Sequence, residues 1–229
     1  MEMYEGKAKK MIPLDEAKLI MEFKDDATAF NGVKKAQFKG KGVYNAQISV
    51  KLFKLLEEKG IRTHFIGIAG ENKLIVERLE MFPLEVVVRN IVAGSLKKRL
   101  PFKEGHELEE PIVELYYKND ALGDPMINYY HAKSLGVSEE EIKEMERIAL
   151  KVNEILKEFF KERGILLVDF KLEFGKNSKG EIVLADEISP DTCRFWDAET
   201  KKSLDKDVFR FDKGDLISAY EEIYRRISE

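Results

Sequence analysis

The sequence predicts an α+β fold, and three observations carry that prediction. Short strand-like segments crowd the first third, with a single helix among them. A long amphipathic helix is followed by a hairpin pattern and a last helix. Helices and strands never settle into the regular alternation that a parallel sheet requires. Nor is there an internal repeat, a low-complexity tract or a Pro/Ser-rich linker.

In chain order, Lys18–Phe23, His64–Ile68 and Lys73–Leu79 are short, apolar-rich and bounded by Gly, Asn or charged residues, as strands are. Val43–Lys59 places Ile48, Leu52, Leu55 and Leu56 at helical spacing, and Gly60 suits its C-terminal stop. The texture changes at Met81-Phe82-Pro83. Pro83 interrupts the pattern, and Leu84–Val88 follows as a nearly continuous apolar run, the mark of a buried strand. A domain boundary is expected here, giving residues 1–82 and 83–229. Pro101 to Gly136 reads as a long polar loop, and loops of that length are often functional. Ser138 with Glu141 forms a capping box for a helix over Ser138–Arg163. Its stripe runs through Ile142, Met145, Ala149, Val152, Ile155, Leu156, Phe159 and Phe160. Gly164 ends it. A hairpin is expected from Ile165–Phe174 and Glu181–Ala185, then an amphipathic helix over Asp215–Ile227.

The chain has 229 residues, 44% apolar, enough for one large domain or two small ones. No apolar run reaches the length of a membrane span, and MEMYEGKAKK has no secretory core. Cys193 is the only cysteine, which fits a reducing cytoplasm. A net charge of -4 argues against broad nucleic-acid binding but leaves room for a local basic pocket. Charged residues reach 36% with only Gln37 and Gln47 as glutamines, a balance that leans toward a heat-adapted source.

Four segments carry candidate chemistry. Val168–Phe174 alternates strictly, so a strand presents Asp169, Lys171 and Glu173 on one face. The returning strand ends at Asp186-Glu187. Paired strands lie about 4.8 Å apart, so acids from both can share a site. Magnesium binds one or two carboxylates plus nucleotide phosphates, which suits Glu173 and Asp186, with Lys171 free for a phosphate or substrate oxygen. On alternation alone, a solvated face with a cross-strand charge pair is the simpler explanation. The loop Ile188–Trp196 gathers Asp191, Cys193, Arg194 and the single tryptophan; Arg194 either reads an anion or stacks on Trp196. Cys193 reads as a bystander. Val86–Ser95 delivers Arg89 at a strand end before Gly94-Ser95, either a phosphate cradle or a plain strand-to-helix junction. Tyr4–Lys10 sets Lys7 and Lys9 on one side of a strand, or frays as a basic terminus. His64, His106 and His131 lack metal-ligand spacing and read as structural.

Together these pieces resemble the phosphoribosylaminoimidazole-succinocarboxamide synthase (SAICAR synthetase) family nearly end to end. The resemblance rests on YEGKAKK at Tyr4, FPLEVVVRNIVAGSLKKRL from Phe82 and KNDALGDPM from Lys118. LVDFKLEFG from Leu167 and LADEISPDTCRFWD from Leu184 complete it. It implies a two-lobed α+β architecture with antiparallel sheets, related to ATP-grasp and kinase-like nucleotide binders. It implies an ATP- and Mg2+-dependent ligase joining L-aspartate to carboxyaminoimidazole ribonucleotide, and a homodimer. By the same resemblance, Lys7 and Lys9 contact ATP phosphates, Met81 marks the adenine hinge, and Glu173 and Asp186 hold magnesium. Arg89, Ser95 and Arg194 bind the ribonucleotide phosphate, and Lys171, Asp191 and Lys118 lie near the reacting groups. One departure is Phe30-Asn31-Gly32, where the family carries Gly-Asp-Gly; Asn31 keeps hydrogen bonding without charge. The competing readings are a small-molecule kinase and a non-catalytic nucleotide-binding regulator.

Overall fold

The computed structural model describes residues 3–30 and 32–229, so Asn31 lies outside the described residues. The chain begins with strands β1 (Tyr4–Glu5), β2 (Lys9–Pro13), β3 (Lys18–Phe23), β4 (Asp26–Ala29) and β5 (Lys34–Gln37), then helix α1 (Lys41–Glu58). Strands β6 (Phe65–Gly70), β7 (Lys73–Glu77), β8 (Glu80–Ile91), β9 (Glu107–Tyr117) and β10 (Met126–Ile127) follow. After α2 (Tyr129–Ser134) and α3 (Glu139–Lys161) come β11 (Ile165–Lys176), β12 (Ile182–Ala185) and β13 (Cys193–Asp197). Helices α4 (Asp207–Arg210) and α5 (Leu216–Arg226) end the chain.

The architecture is mixed α and β with antiparallel sheets. One sheet has the order β1-β2-β3-β7-β6; the other runs β10-β9-β8-β11-β12, with β13 also on β11, and β4-β5 stand as a separate pair. The first sheet ends at Glu77 and the second begins at Glu80. Segment 62–64 sews the two together. Thr63 forms a parallel bridge to Leu184, the His64 N–H donates to the Leu184 carbonyl at 2.8 Å, and the Glu77 N–H donates to the His64 carbonyl at 2.7 Å.

A continuous apolar core runs through both sheets, from Met21, Phe23 and Leu74 through Leu52 and Phe53 of α1 to Val86, Phe170 and Leu172, closed by Met145, Val152 and Leu156 of α3. Each such fully buried side chain contributes roughly 1.5–3 kcal/mol of transfer free energy. The capping box of α3 is present, with the Glu141 N–H donating to Ser138 Oγ at 3.2 Å and the Ser138 N–H to Glu141 Oε2 at 2.7 Å. Gly60, at φ 84°, follows the end of α1.

Three expectations need correction. The stretch 101–136 is not a long loop, because it contains β9, β10 and α2. Pro111 hid the strand. It is tolerated because β10 pairs only with Leu115 and Tyr116, leaving the early part of β9 open on that side. Pro83 likewise does not interrupt a strand: β8 runs through it, and the pairing with β11 slips between Glu173 and Gly175, a bulge that accommodates a residue without an N–H. Lastly, Lys7 is not on a strand. Gly6–Ala8 form the turn between β1 and β2, closed by the Gly6 N–H to the Lys9 carbonyl at 2.8 Å.

Candidate active site

β11 is the strand on which the site is built. Its neighbour β8 pairs Asp169 with Arg89, Lys171 with Val87 and Glu173 with Glu85, while β12 pairs Ala185 with Glu173. The alternating acid-lysine-acid face is therefore real, but it is not solvated: Asp169 and Glu173 are buried and Lys171 is half-buried. In a regular strand, Asp186, one step beyond Ala185, would point to the opposite face from Glu173. Instead it adopts φ 60°, a left-handed conformation that aspartate tolerates better than most residues. Its carboxylate then meets Lys9. The backbone is held in place by His64, whose Nε2–H donates to the Asp186 carbonyl at 2.9 Å. Burial pushes the His64 imidazole down to about 4, so the ring is neutral near pH 7.

Above this face lies a cavity of about 420 Å³. One part is apolar, lined by Met11, Leu19, Met21, Leu79 and Met81; the other is charged, with Lys7, Lys9, Lys118, Lys171, Glu173 and Asp186. Lys9 Nζ bonds Asp186 and, at 2.7 Å, Glu187 Oε1. Lys118 bonds Glu173, and Lys171 bonds Glu85 at 2.5 Å. Lys7 reaches Asp120 at 2.6 Å on the exposed rim. Burial disfavours the charged forms of Lys9 and Lys171. Asp186 and Glu187 outweigh it for Lys9, and Glu85 and Glu173 for Lys171, so both stay cationic above their ordinary range. Burial opposes the charge of Asp186 as well, yet Lys9 and Lys171 pull its carboxyl down to about 2. Glu173 moves the other way, raised by burial and by the charge of Asp186.

A smaller pocket of about 130 Å³ continues along the same face, and Lys171, Asp191 and Thr192 line both. Its walls carry Arg89, Arg194 and Arg210 around Asp169. Arg89 is buried and bonded through all three nitrogens: Nε to Glu114 at 2.8 Å, Nη1 to Asp169 at 2.7 Å, and Nη2 to Ser95 Oγ and the Tyr116 hydroxyl, each at 3.1 Å. Arg194 meets Asp169 at 2.9 Å and Asp207 at 2.8 Å, and Arg210 meets Asp207 at 2.6 Å. The guanidinium of Arg194 lies flat on Gly94, where an added Cβ would stand 2.6 Å from Nη2, so the glycine of Ala-Gly-Ser is required by close approach. Arg194 thus pairs with acids rather than stacking on Trp196, which packs with Ile91, Ala93 and Val168. Burial raises the Cys193 thiol, consistent with an inert group.

Asp191 is braced where the pockets meet. Its oxygens accept from Lys41 Nζ and the Tyr220 hydroxyl, each at 2.5 Å, with Lys41 wholly buried. Burial opposes its charge, but Lys41 and Lys206 hold its carboxyl well below the usual range. Lys206 also lines the large cavity and makes no ion pair among the described residues; burial lowers its ammonium pKa despite Asp191.

The SAICAR synthetase family model matches residues 2–227. The chain belongs to the SAICAR synthetase family. It is 83% identical over 227 residues to the phosphoribosylaminoimidazole-succinocarboxamide synthase of Pyrococcus furiosus, covering 99% of this chain and 97% of that protein. The enzyme of the same name from Thermococcus sibiricus is 79% identical over 228 residues, covering 100% and 98%. A solved SAICAR synthetase structure in complex with ADP superposes with a TM-score of 0.98 at 78% identity, over 99% of this chain and 97% of that one.

In this member of the SAICAR synthetase family, the expected site residues converge, but with partners that the motifs did not name. The structure brings Lys7, Lys9, Met81, Lys118, Lys171, Glu173, Asp186 and Asp191 to one cavity, and Arg89 and Arg194 to the adjoining pocket, with Ser95 bonded to Arg89. Sequence reasoning gave Glu187 no specific role and missed Lys41, Lys206, Asp207, Arg210 and Tyr220. The Asp207–Arg210 pair, three residues apart on a helix, was the one local signal available. Among the described residues no three His, Cys, Asp or Glu side chains converge as a closed metal cage, and no helix is long and apolar enough to cross a membrane.

Proposed function

We propose that this chain is an ATP-dependent carbon–nitrogen ligase of purine biosynthesis. It joins L-aspartate to the carboxylate of carboxyaminoimidazole ribonucleotide and releases the succinocarboxamide, ADP and phosphate. The observation that carries this reading is the adjacency of the two pockets along one face of β11: a nucleotide-sized cleft with an apolar and a cationic part borders a small arginine pocket, with Lys171, Asp191 and Thr192 lining both.

The apolar part, with Met81 at its edge, takes the adenine, and Lys7 and Lys9 take the phosphates. Glu173 and Asp186 suit Mg2+. They offer hard oxygens from two adjoining strands, their proximity raises Glu173, and a cation between them relieves that repulsion. When bound, the ion neutralises charge on the transferring phosphoryl group. Arg194 and Arg210 face the ribonucleotide phosphate, backed by Arg89 and Ser95. That leaves the substrate carboxylate beside Lys171, Lys118 and Lys206.

The chemistry follows from placing donor and acceptor end to end. A carboxylate oxygen attacks the γ-phosphorus, the bond to ADP breaks, and an acyl phosphate forms. The amine of aspartate then attacks the acyl carbon, the bond to phosphate breaks, and the amine's proton leaves with the phosphate. The lysines screen developing negative charge. Asp191, held ionised, accepts a hydrogen bond from the ribonucleotide and orients it. The two sheets support a two-lobed working unit of the ATP-grasp and kinase-like kind, with residues 1–82 as the ATP-binding lobe and 83–229 as the lobe carrying the metal and ribonucleotide sites. A homodimer in the cytoplasm completes the reading, and light scattering tests the dimer.

The deciding assay measures ADP release and coupled product by mass spectrometry, with the ribonucleotide present and L-aspartate added or withheld. A product carrying the mass of all three components, formed only when all are present, is the expected result. A phosphorylated ribonucleotide accumulating irrespective of aspartate would replace the ligase with a kinase; Mg-ATP binding without turnover would replace it with a regulator.

A further inference from the structure

Lys206, just before α4, and Asp207 and Arg210 within it face the site or its arginines, while one fully buried acid, Asp205, lines neither pocket. Residues 202–204 return along β13: the Asp197 N–H donates to the Lys202 carbonyl at 2.9 Å, and the Leu204 N–H to the Phe195 carbonyl at 2.8 Å. The pairing then stops within one residue. Asp205 Oδ2 accepts the Phe195 N–H at 2.8 Å, standing in for a backbone carbonyl, while Oδ1 accepts the N–H of Asp207, the first residue of α4, at 2.7 Å. The Lys206 N–H is fixed to the Pro190 carbonyl at 3.1 Å. One carboxyl group therefore ends a strand pairing and starts a helical turn. That turn sends Lys206 into the large cavity and Asp207 onto Arg194 and Arg210.

We infer that Asp205 is a positioning residue for the acceptor end of the site, setting affinity for the anionic ribonucleotide through Lys206 and Asp207 while leaving nucleotide binding alone. The inference rests on the proposed reading of the arginine pocket as the ribonucleotide phosphate site. The nucleotide's apolar wall and phosphate lysines come from the β1–β2 turn, β2, β3 and the run from Leu79 into β8, none of which Asp205 hydrogen-bonds. Burial, reinforced by Asp207, pushes the Asp205 carboxyl up to about 7, so an acid at this place is costly unless its two amide bonds matter.

Asp205→Asn keeps one acceptor oxygen and sets an NH2 against the other backbone N–H. With the full-length enzyme, the KM for the ribonucleotide should rise roughly ten-fold or more while the KM for ATP stays within about two-fold. Asp205→Thr, whose hydroxyl can accept from one amide, is measured in parallel in case the asparagine variant does not fold. In a Lys206→Ala/Asp207→Asn background, Asp205→Asn should change the ribonucleotide KM by less than about two-fold, because the groups it positions are gone. An unchanged ribonucleotide KM in a folded Asp205 variant overturns the inference. So does a parallel rise in both KM values, or failure of both variants to fold while Lys206→Ala folds, since either outcome assigns Asp205 to stability alone. Arg194→Ala separates the two claims: if it leaves the ribonucleotide KM unchanged, the reading of the pocket fails whatever Asp205 does.

Discussion

Lys41 offers the sharpest test of how the site is braced. Its ammonium lies 2.5 Å from Asp191, with the two side chains 0% and 4% exposed. At an effective dielectric of about 20 the Coulomb attraction at that distance is roughly 6–7 kcal/mol, largely offset by desolvation. Lys41→Met deletes the cation and keeps the apolar stem. Removing one partner of a buried pair costs about 3–5 kcal/mol. Tyr220 still donates to Asp191 and Lys206 still lies near it, which favours the lower end. A chain of 229 residues has an unfolding entropy of about 0.5 kcal/mol/K, so the melting temperature should fall by about 6–10 °C. Differential scanning calorimetry reads this directly. The double variant Lys41→Met/Asp191→Asn should recover much of the loss, since no buried charge is then unpaired. The acid limb follows from the sign of the shift. Asp191 titrates lower in the fold than in the unfolded chain, so its stabilisation is present above about pH 4 and is lost as pH falls below that. Lys41→Met should flatten that limb. A drop of under about 2 °C, or a double variant no more stable than the single one, would refute the argument.

Two further outcomes bear on the reaction. Glu173→Ala removes one of the paired carboxylates from a strand whose core side chains stay in place; ADP release should fall by about 100-fold or more with the circular dichroism spectrum unchanged, and near-native turnover would sink the metal assignment. Gly94→Ala puts a Cβ 2.6 Å from Arg194 Nη2 at a residue with φ 53°, so the ribonucleotide KM should rise roughly ten-fold while the ATP KM stays put, as steady-state kinetics with each substrate varied in turn will show.

Much of the fold was legible because it rests on local rules. The stripe and capping box of α3 located that helix, and strict alternation located β11. Proline defeated the reading twice, since bulges and half-open strand stretches accommodate it only once neighbours are known. The site divided the same way. Glu173 and Lys171 could be found from one strand's periodicity. The conformation that turns Asp186 toward Lys9 could not, because it depends on a left-handed backbone pinned by His64 from a segment more than a hundred residues away. Lys41 carried no local signal, since it precedes the expected helix and its partners Asp191 and Tyr220 are distant in sequence.

The single strand that floors both pockets has a metrical consequence. Asp169 and Glu173 are four residues apart, which in an extended chain is about 13 Å. On the proposed placement of the two reactants, this strand is a covalent ruler between their anchoring points, stiffened by ladder bonds on both edges. Such a ruler measures the acceptor. A ribonucleotide lacking its phosphate would still fit the cleft yet arrive without its zero mark, and its loss should appear in the rate of phosphoryl transfer as much as in affinity.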